Sequence, residues 1–308
     1  MKAGRKVLVT GGTGFIGQRL VSALVARGNT IVVLTRHPER HRTASAGVEF
    51  TATVSDLARV GAIVNLAGEP LPGRRWSPAQ KRRLRESRVD RTRELVQQIA
   101  QAPSRPAVLV SASAVGIYGD RGAEVLTESS PPGDDFLAEL CIAWEREAFA
   151  AREHGVRTVC VRTGIALGAG GGALAKMLPL FRAGIGGPLG DGSQFMSWVH
   201  VDDVVALLLF ALERDELEGP LNGTAPNPVT NRDFTRALAR ELHRPAFLPA
   251  PRFALRAALG EIADALTGSQ RCVPEKALAH GFVFRFPELQ GALREVLASV
   301  PAAKMRSH

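Results

Sequence analysis

Apolar residues in this chain gather into short dense runs, separated by stretches where they recur every three or four positions. Lys6-Val7-Leu8-Val9 is the first dense run and predicts a buried strand; Gln18 to Val25 carries helical spacing. Thr30 to Thr35 predicts a second strand, Val48-Glu49-Phe50 a short one, and Ala62 to Gly68 a clear strand ending in small residues. A long polar helix is expected over 77–101, then a strand at Ala107–Ser111, a helix over 135–153 and a strand from Val156 to Arg162. Strands alternating with helices predict a parallel, doubly wound α/β sheet covered on both faces. Crossovers in such a sheet are right-handed and ligands sit at the carboxyl ends of the strands.

The pattern changes near residue 168. Gly168 to Gly172 is a flexible turn, and five glycines surround Pro188 between Gly184 and Gly192. Val204–Leu212 returns as a buried helix expected to pack on the sheet. From about 230 the chain reads as helices punctuated by prolines at 245, 249, 251, 274 and 287. The expected division is a nucleotide-binding unit over residues 1–170, rejoined by 197–230, and a smaller, mostly helical lobe from 171–196 and 231–300.

The stretch that points to chemistry is Thr10-Gly11-Gly12-Thr13-Gly14-Phe15-Ile16-Gly17. It follows a strand, spaces its glycines three apart and opens a helix, which is the build of a dinucleotide-phosphate cradle. Glycines permit the tight turn, and free amides at the helix start face the phosphates. The second strand of such folds commonly ends in an acidic residue that holds the adenosine ribose. Here Thr35-Arg36 stands there, followed by His37. A carboxylate would repel a 2′-phosphate, whereas a guanidinium and a hydroxyl hold it, so NADP(H) is expected over NAD(H). The other reading of Arg36 is a surface residue at a strand end.

Composition narrows the alternatives. The 308 residues are 45% hydrophobic, enough for a sizeable core, and no apolar run reaches the roughly 20 residues of a membrane helix. The first strand begins almost at once, so no secretory signal is expected. Cys141, Cys160 and Cys272 are scattered without metal-like spacing, which suits a reducing cytoplasm with neither disulfides nor a metal site. The net charge of +9 raises nucleic-acid binding, with Lys81 to Arg93 the densest basic stretch. Glu86, Asp90 and Glu94 interrupt it and no aromatic residues interleave to stack bases. It reads as a solvated helix face; no nucleic-acid or membrane partner is expected.

These residues resemble the extended short-chain dehydrogenase/reductases, which include nucleotide-sugar epimerases. Besides the glycine loop, Asn65-Leu66-Ala67-Gly68 is similar to the fourth-strand motif. Ser111-Ala112-Ser113 with Tyr118-Gly119 is similar to the fifth-strand serine motif, one residue longer. Arg162 to Gly168 matches the sixth-strand segment, and Ser197 to Asp203 the strand-to-helix return. Glu69, Arg74-Arg75-Trp76, Ser87-Arg88, Ser113 to Gly116, Gly186 to Gly190, Gly260-Glu261, Val273-Pro274 and Gly281 to Pro287 narrow the match. Together they resemble atypical epimerase-family proteins with an uncharacterised C-terminal domain, some labelled cell-division inhibitors. The resemblance implies a Rossmann-type sheet. It implies cofactor contacts at Gly11, Thr13, Gly14, Phe15, Ile16, Gly17, Thr35, Arg36, Leu66, Ala67, Gly68, Arg88 and Ala166. It also implies a small-molecule substrate against the C-terminal lobe, and by analogy a homodimer.

One feature of the wider superfamily is missing. The Tyr-x-x-x-Lys pair on the helix after the fifth strand normally exchanges a proton while hydride moves. Leu137 and Cys141 fall at those places, and Tyr118 is the chain's single tyrosine. Three groups are candidates to replace the pair. Ser113 is either the substrate-polarising hydroxyl or a strand-end cap; Tyr118 is either at the mouth of the site or a packed aromatic. Glu69 either faces the nicotinamide pocket or belongs to a simple turn. Asp202 and Asp203 are expected to N-cap a helix, and His200 to be structural. Three functions remain open: NADP(H)-dependent hydride transfer at a carbonyl or alcohol carbon, a catalytically silent NADPH-binding sensor or scaffold, and a nucleotide-sugar epimerase.

Overall fold

Side chains of β1 (Lys6–Thr10) alternate between two apolar surroundings. Val7 and Val9 pack with Leu20 and Leu24 of α1 (Phe15–Ala26) and with β2 (Thr30–Leu34) through Ile31 and Val33. Leu8 faces the other way, against Val32, Leu57 and Val60. A strand buried on both faces lies inside a sheet, as the dense apolar runs require. Each fully buried aliphatic side chain of this kind contributes ~1.5–3 kcal/mol relative to exposure.

The computed structural model describes residues 4–41, 47–54, 57, 59–71 and 75–300. β3 (Val48–Thr51) and β4 (Ala62–Asn65) follow β2. Then α2 (Pro78–Arg85) and α3 (Arg91–Gln101) run together through a π-helical turn at Glu86–Asp90. The helix expected over 77–101 therefore exists with one widened turn, a feature apolar spacing does not report. Ser77 caps it by accepting from the Gln80 amide at 3.2 Å, with Pro78 in the first turn.

β5 (Val108–Ala114) runs three residues beyond the expected Ser111. β6 (Val125–Leu126), α4 (Phe136–Phe149), β7 (Arg157–Thr163) and β8 (Ile165–Leu167) follow. Next come α5 (Gly172–Arg182), β9 (Phe195–Met196), β10 (Trp198–His200) and α6 (Val201–Glu213). β11 (Gly219–Gly223) is the last strand of the main sheet.

Among the described residues the main sheet has seven strands in the order β3-β2-β1-β4-β5-β7-β11, all parallel. The order reverses at β1, which opens the crevice between β1 and β4 where this architecture takes its ligands. α1 and α6 cover one face, and α6 buries Val204, Leu207, Leu208 and Ala211 against the strands. α3 covers the other face through Leu95, Val96 and Ile99.

The remaining chain forms β12 (Val229–Thr230), α7 (Asn231–Leu242), α8 (Arg252–Leu259), α9 (Ile262–Thr267), β13 (Arg271–Cys272), α10 (Glu275–Ala279) and α11 (Leu289–Ala298). α5, α7 and α11 share a core of Leu174, Phe181, Phe234, Leu238 and Leu293. Small strand pairs stitch this part to the rest, β12 antiparallel to β9 and β13 parallel to β6, and β10 pairs parallel with β8 in the preceding segment. These two- and three-residue strands are too short to leave a periodic trace in sequence.

Candidate cofactor and active site

The loop after β1 is held by close backbone approaches. Gly11 has φ +66°, and a Cβ there would lie 2.6 Å from the Leu66 carbonyl. A Cβ on Gly17 would meet the Gly11 carbonyl oxygen at 2.2 Å, so α1 starts directly against the turn. Gly14 is the N-cap residue without a side-chain cap, its amide donates to the Gly11 carbonyl at 3.0 Å, and no acidic residue stands in the first turn of α1. The helix therefore presents the amides of Phe15 and Ile16 and its positive end to whatever occupies the crevice. These features fit a pyrophosphate.

The Phe15 ring anchors the far side: Cβ atoms on Gly168, Gly171 and Gly172 would all run into it. Arg19 lies over that ring at 4.8 Å and donates to the Phe15 and Ala169 carbonyls, tying the loop after β8 to α1. Ala166 is in β8, opposite Val199 of β10. A cleft of about 880 Å³ borders Thr13, Gly14, Gln18, Arg19, Asp202 and Arg285.

At the other end, Thr35 follows β2 with its amide bonded to the Thr51 carbonyl at 2.9 Å. Arg36 is exposed and, among the described residues, has no hydrogen-bond or ion-pair partner. Its charge is free for an anionic ligand.

A buried polar lattice sets the floor between β1, β4 and β5. Thr10 Oγ1 donates to Asn65 Oδ1 at 2.7 Å and accepts from the Ala67 amide at 3.1 Å. Asn65 Nδ2 donates to Thr92 Oγ1 at 2.9 Å and Ser111 Oγ at 3.1 Å, and Trp144 Nε1 also donates to Thr92. The lattice fixes the path of Leu66-Ala67-Gly68 beside the glycine turn. Asn65 belongs to the fourth-strand motif; Thr92 and Trp144 belong to none, and their signal is polar groups on a helix face that must otherwise be apolar.

Beyond this floor stands Arg88, in the π-turn. Its guanidinium donates to the Glu69 carbonyl at 2.8 Å and lies 5.4 Å from the Trp144 ring. It also fills the space a side chain on Gly68 would need, at 3.1 Å. Burial pulls its pKa below the usual arginine value. The basic run therefore splits. Arg82, Arg83 and Arg85 are exposed. Lys81 pairs with Glu261, Arg91 with Glu94, and Arg93 with Asp90 and Glu147. Arg88 alone of this run turns toward the end of β4. Glu69 is half-buried, and its amide donates to Ser87 Oγ at 3.0 Å. Arg74 lies outside the described residues.

Ser113 and Tyr118 sit deeper than the site's mouth. Ser113 Oγ donates to Glu145 Oε1 at 2.7 Å. Glu145 receives Arg162 Nε and Nη2, each at 2.8 Å, and both side chains are at most 10% exposed. Arg162 Nη1 donates to the Tyr118 hydroxyl at 2.9 Å, which donates in turn to Asn222 Oδ1 at 2.7 Å. Glu128 accepts the Asn222 amide at 2.9 Å and the Lys276 amide at 3.3 Å. Tyr118 is 0% exposed, and burial pushes its pKa up to about 12, outweighing the nearby Arg162 charge. Of the two readings of Tyr118, at the mouth of the site or a packed aromatic, its burial matches the second.

Ser113 is displaced for a reason of register. The helix position taken by Leu137 faces Gly116, with 3.3 Å between Leu137 Cβ and a Cβ built on that glycine. Cys141 packs with Ala114 and Val115 at the end of β5. Ser113 meets Glu145, one helical turn further along α4. Sequence reading places Arg162 in the sixth-strand segment but gives neither it nor Glu145 a role. Their signal was an acid whose neighbours three and four positions away, Cys141, Ile142, Ala148 and Phe149, are all apolar, and an arginine in an apolar strand, two opposite charges that must pair if both are buried.

The strand-to-helix return holds another correction. His200 itself is the N-cap residue of α6: its Nδ1 accepts from the Asp202 amide at 3.2 Å while Nε2 bonds Glu295 at 2.8 Å. Asp203 is turned to the C-terminal segment, where it accepts the Arg285 and Phe286 amides at 2.8 and 3.0 Å. An imidazole acceptor left no place for the aspartates as caps. Among the described residues no group of three His, Cys, Asp or Glu side chains is placed to hold a metal, and no helix is long and apolar enough to cross a membrane.

A seven-stranded parallel sheet with its order reversing beside an open helix N-terminus is a Rossmann-type nucleotide-binding architecture. More narrowly, the chain belongs to the NAD dependent epimerase/dehydratase family, whose sequence profile matches residues 7–222; a domain of unknown function (DUF1731) matches residues 250–296. It is 43% identical over 301 residues to the "Epimerase family protein SDR39U1 homolog, chloroplastic" of Arabidopsis thaliana, covering 94% of this chain and 86% of that protein. It is 37% identical to the epimerase family protein YfhF of Bacillus subtilis, covering 95% and 98%. The crystal structure of human epimerase family protein SDR39U1 with NADPH is similar at TM-score 0.87 and 37% identity, covering 96% of this chain and all of that one.

Proposed function

We propose that this protein binds NADP(H) and transfers hydride between the cofactor and a small molecule, without the usual tyrosine–lysine pair. One observation carries the cofactor reading: the start of α1 is uncapped and acid-free, and Arg36, which has no partner among the described residues, follows β2, so both are available to the charged groups of a phosphorylated dinucleotide. The human relative crystallised with NADPH supports it. Gly11, Thr13, Gly14, Phe15, Ile16 and Gly17 take the pyrophosphate, and Thr35 and Arg36 take the 2′-phosphate. Leu66, Ala67, Gly68, Arg88 and Ala166 line the nicotinamide side. The cofactor supplies hydride to a carbonyl carbon, or accepts it from an alcohol.

Without a tyrosine acid, the proton on the carbonyl oxygen must come from another group. Glu69, next to Gly68, half-buried and within electrostatic reach of Arg88, is the carboxylate we assign to relay that proton, taking it up from solvent and passing it to the oxygen. Ser113 and Tyr118 hold Arg162 and Glu145 in place instead. The nucleotide-sugar epimerase reaction fits less well, since its keto intermediate is normally made with the missing tyrosine. The three buried, free cysteines support a reducing, cytoplasmic setting.

A second reading, a sensor that holds NADPH without turnover, is favoured by the inert pair at Leu137 and Cys141, the latter with its pKa pushed up to about 12 by burial. Incubation of the NADPH complex with a panel of aldehydes and ketones separates the two. Oxidation that Glu69→Gln slows at least tenfold supports the enzyme; no oxidation by any of them supports the sensor.

A further inference from the structure

Leu137 and Cys141 leave α4 without a cation where the wider superfamily places one, yet a cation is present nearby on a different element. Arg88 comes from the π-turn between α2 and α3, and widened turns of this kind often mark functional positions. Its hydrogen-bond partners are the carbonyl oxygens of Glu69 and Leu84 and the Ser87 hydroxyl, at 2.8, 3.4 and 3.3 Å. None of them is charged. No ion pair joins it to a carboxylate among the described residues, and its flat face lies against Trp144. Cys141 and the Glu69 carboxylate are the titrating groups within its electrostatic reach. A guanidinium left uncompensated at a half-buried place is costly unless it does something there.

Its position in the fold indicates what that is. A dinucleotide with its pyrophosphate at the β1–α1 turn and its adenosine end beside β2 extends its other end over β4 and β5. Gly68, against which Arg88 rests, ends the segment leaving β4, and Cys141 faces the end of β5. We infer that Arg88 makes the site selective for the redox state of its cofactor, favouring the uncharged dihydronicotinamide ring over the cationic oxidised one. This rests on the NADP(H) reading and adds the regulation of that same site.

A neighbouring charge changes an ionisation equilibrium by about one to three pK units, and the same electrostatics acting on the charge of the nicotinamide ring sets the expected preference for NADPH over NADP⁺ at about tenfold. A tenfold preference raises the potential of the bound two-electron couple by about 30 mV. The protein then keeps its cofactor reduced, and the bound NADPH is a weaker hydride donor than free NADPH. Glu69 carries the opposite charge and works against Arg88.

Calorimetric titration of the full-length protein with NADPH and with NADP⁺ tests this, using the wild type, Arg88→Gln, Arg88→Lys and Glu69→Gln. We expect the wild type to bind NADPH about tenfold more tightly. The ratio should fall toward one in Arg88→Gln, persist in Arg88→Lys, which keeps the charge while altering the packing, and widen in Glu69→Gln. A ratio near one in the wild type overturns the inference. So does an unchanged ratio in Arg88→Gln or, should that variant not fold, a ratio that does not widen in Glu69→Gln. If the wild type binds neither form, the cofactor reading itself fails.

Discussion

Replacing Glu145 by glutamine tests whether the buried network is a structural clamp. Glu145 accepts three short bonds, from Arg162 Nε and Nη2 at 2.8 Å and from Ser113 at 2.7 Å. A carboxamide of the same shape keeps one acceptor oxygen and turns an NH₂ toward another donor. Arg162 then keeps its charge inside the protein with only neutral partners, the remaining carboxamide oxygen, the Tyr118 hydroxyl and the Glu128 carbonyl. Removing one member of a buried ion pair costs about 3–5 kcal/mol, most of it from the charge left unpaired rather than from the attraction lost. Ser113→Ala leaves the pair intact and removes one hydrogen bond to a charged group, about 1.5–3 kcal/mol. Urea unfolding of the two variants, followed by tryptophan fluorescence, gives the comparison. Glu145→Gln should lose more stability than Ser113→Ala, and Ser113→Ala should still bind NADPH. A loss below about 1 kcal/mol in Glu145→Gln refutes the clamp. A Ser113→Ala protein with full stability but no turnover would return that hydroxyl to the chemistry.

Three further outcomes follow from the geometry. Gly17→Ala places a methyl 2.2 Å from the Gly11 carbonyl oxygen and should weaken NADPH binding at least tenfold, with about 1–3 kcal/mol lost in stability; Gly291→Ala, which meets nothing within 4 Å on α11, should leave binding unchanged and stabilise by about 0.4–1 kcal/mol in thermal unfolding. Tyr118 is the chain's single tyrosine, so tyrosinate absorbance reports it directly: the folded protein should titrate near pH 12 rather than 10. Its folded pKa is raised, so the associated stability is whole below pH 10 and is lost as pH climbs from 10 to 12; titration near 10 in protein that is still folded would contradict its burial. Cys141, Cys160 and Cys272 are buried, free and raised in pKa by burial, so a thiol reagent at pH 8 should label none of them until denaturant is added.

The part of the chain legible in sequence is the part governed by repeating burial. Both faces of β1 and β2 are apolar, so they read as dense runs, and the glycines at 11, 14 and 17 read as a turn because backbone contact excludes any side chain at 11 and 17. Register at strand ends was not legible. The run ending at Ser111 becomes polar and small-residue while β5 continues to Ala114, and that extension sends Ser113 to Glu145. The π-turn was hidden too, since one extra residue in a mostly charged helix barely alters its pattern. Yet that turn is what brings Arg88 to Gly68. Long-range pairs such as Tyr118–Asn222 and His200–Glu295 join elements 104 and 95 residues apart, beyond any local signal.

The most direct test is calorimetry of the purified protein with NADPH and NADH, repeated with Arg36→Ala. A guanidinium on the 2′-phosphate contributes about 1.5–3 kcal/mol, so NADPH should bind roughly ten- to a hundredfold more tightly than NADH, and the variant should lose that margin while its NADH affinity stays as it was. Equal affinities for the two, or an Arg36→Ala protein that still prefers NADPH, would contradict the account.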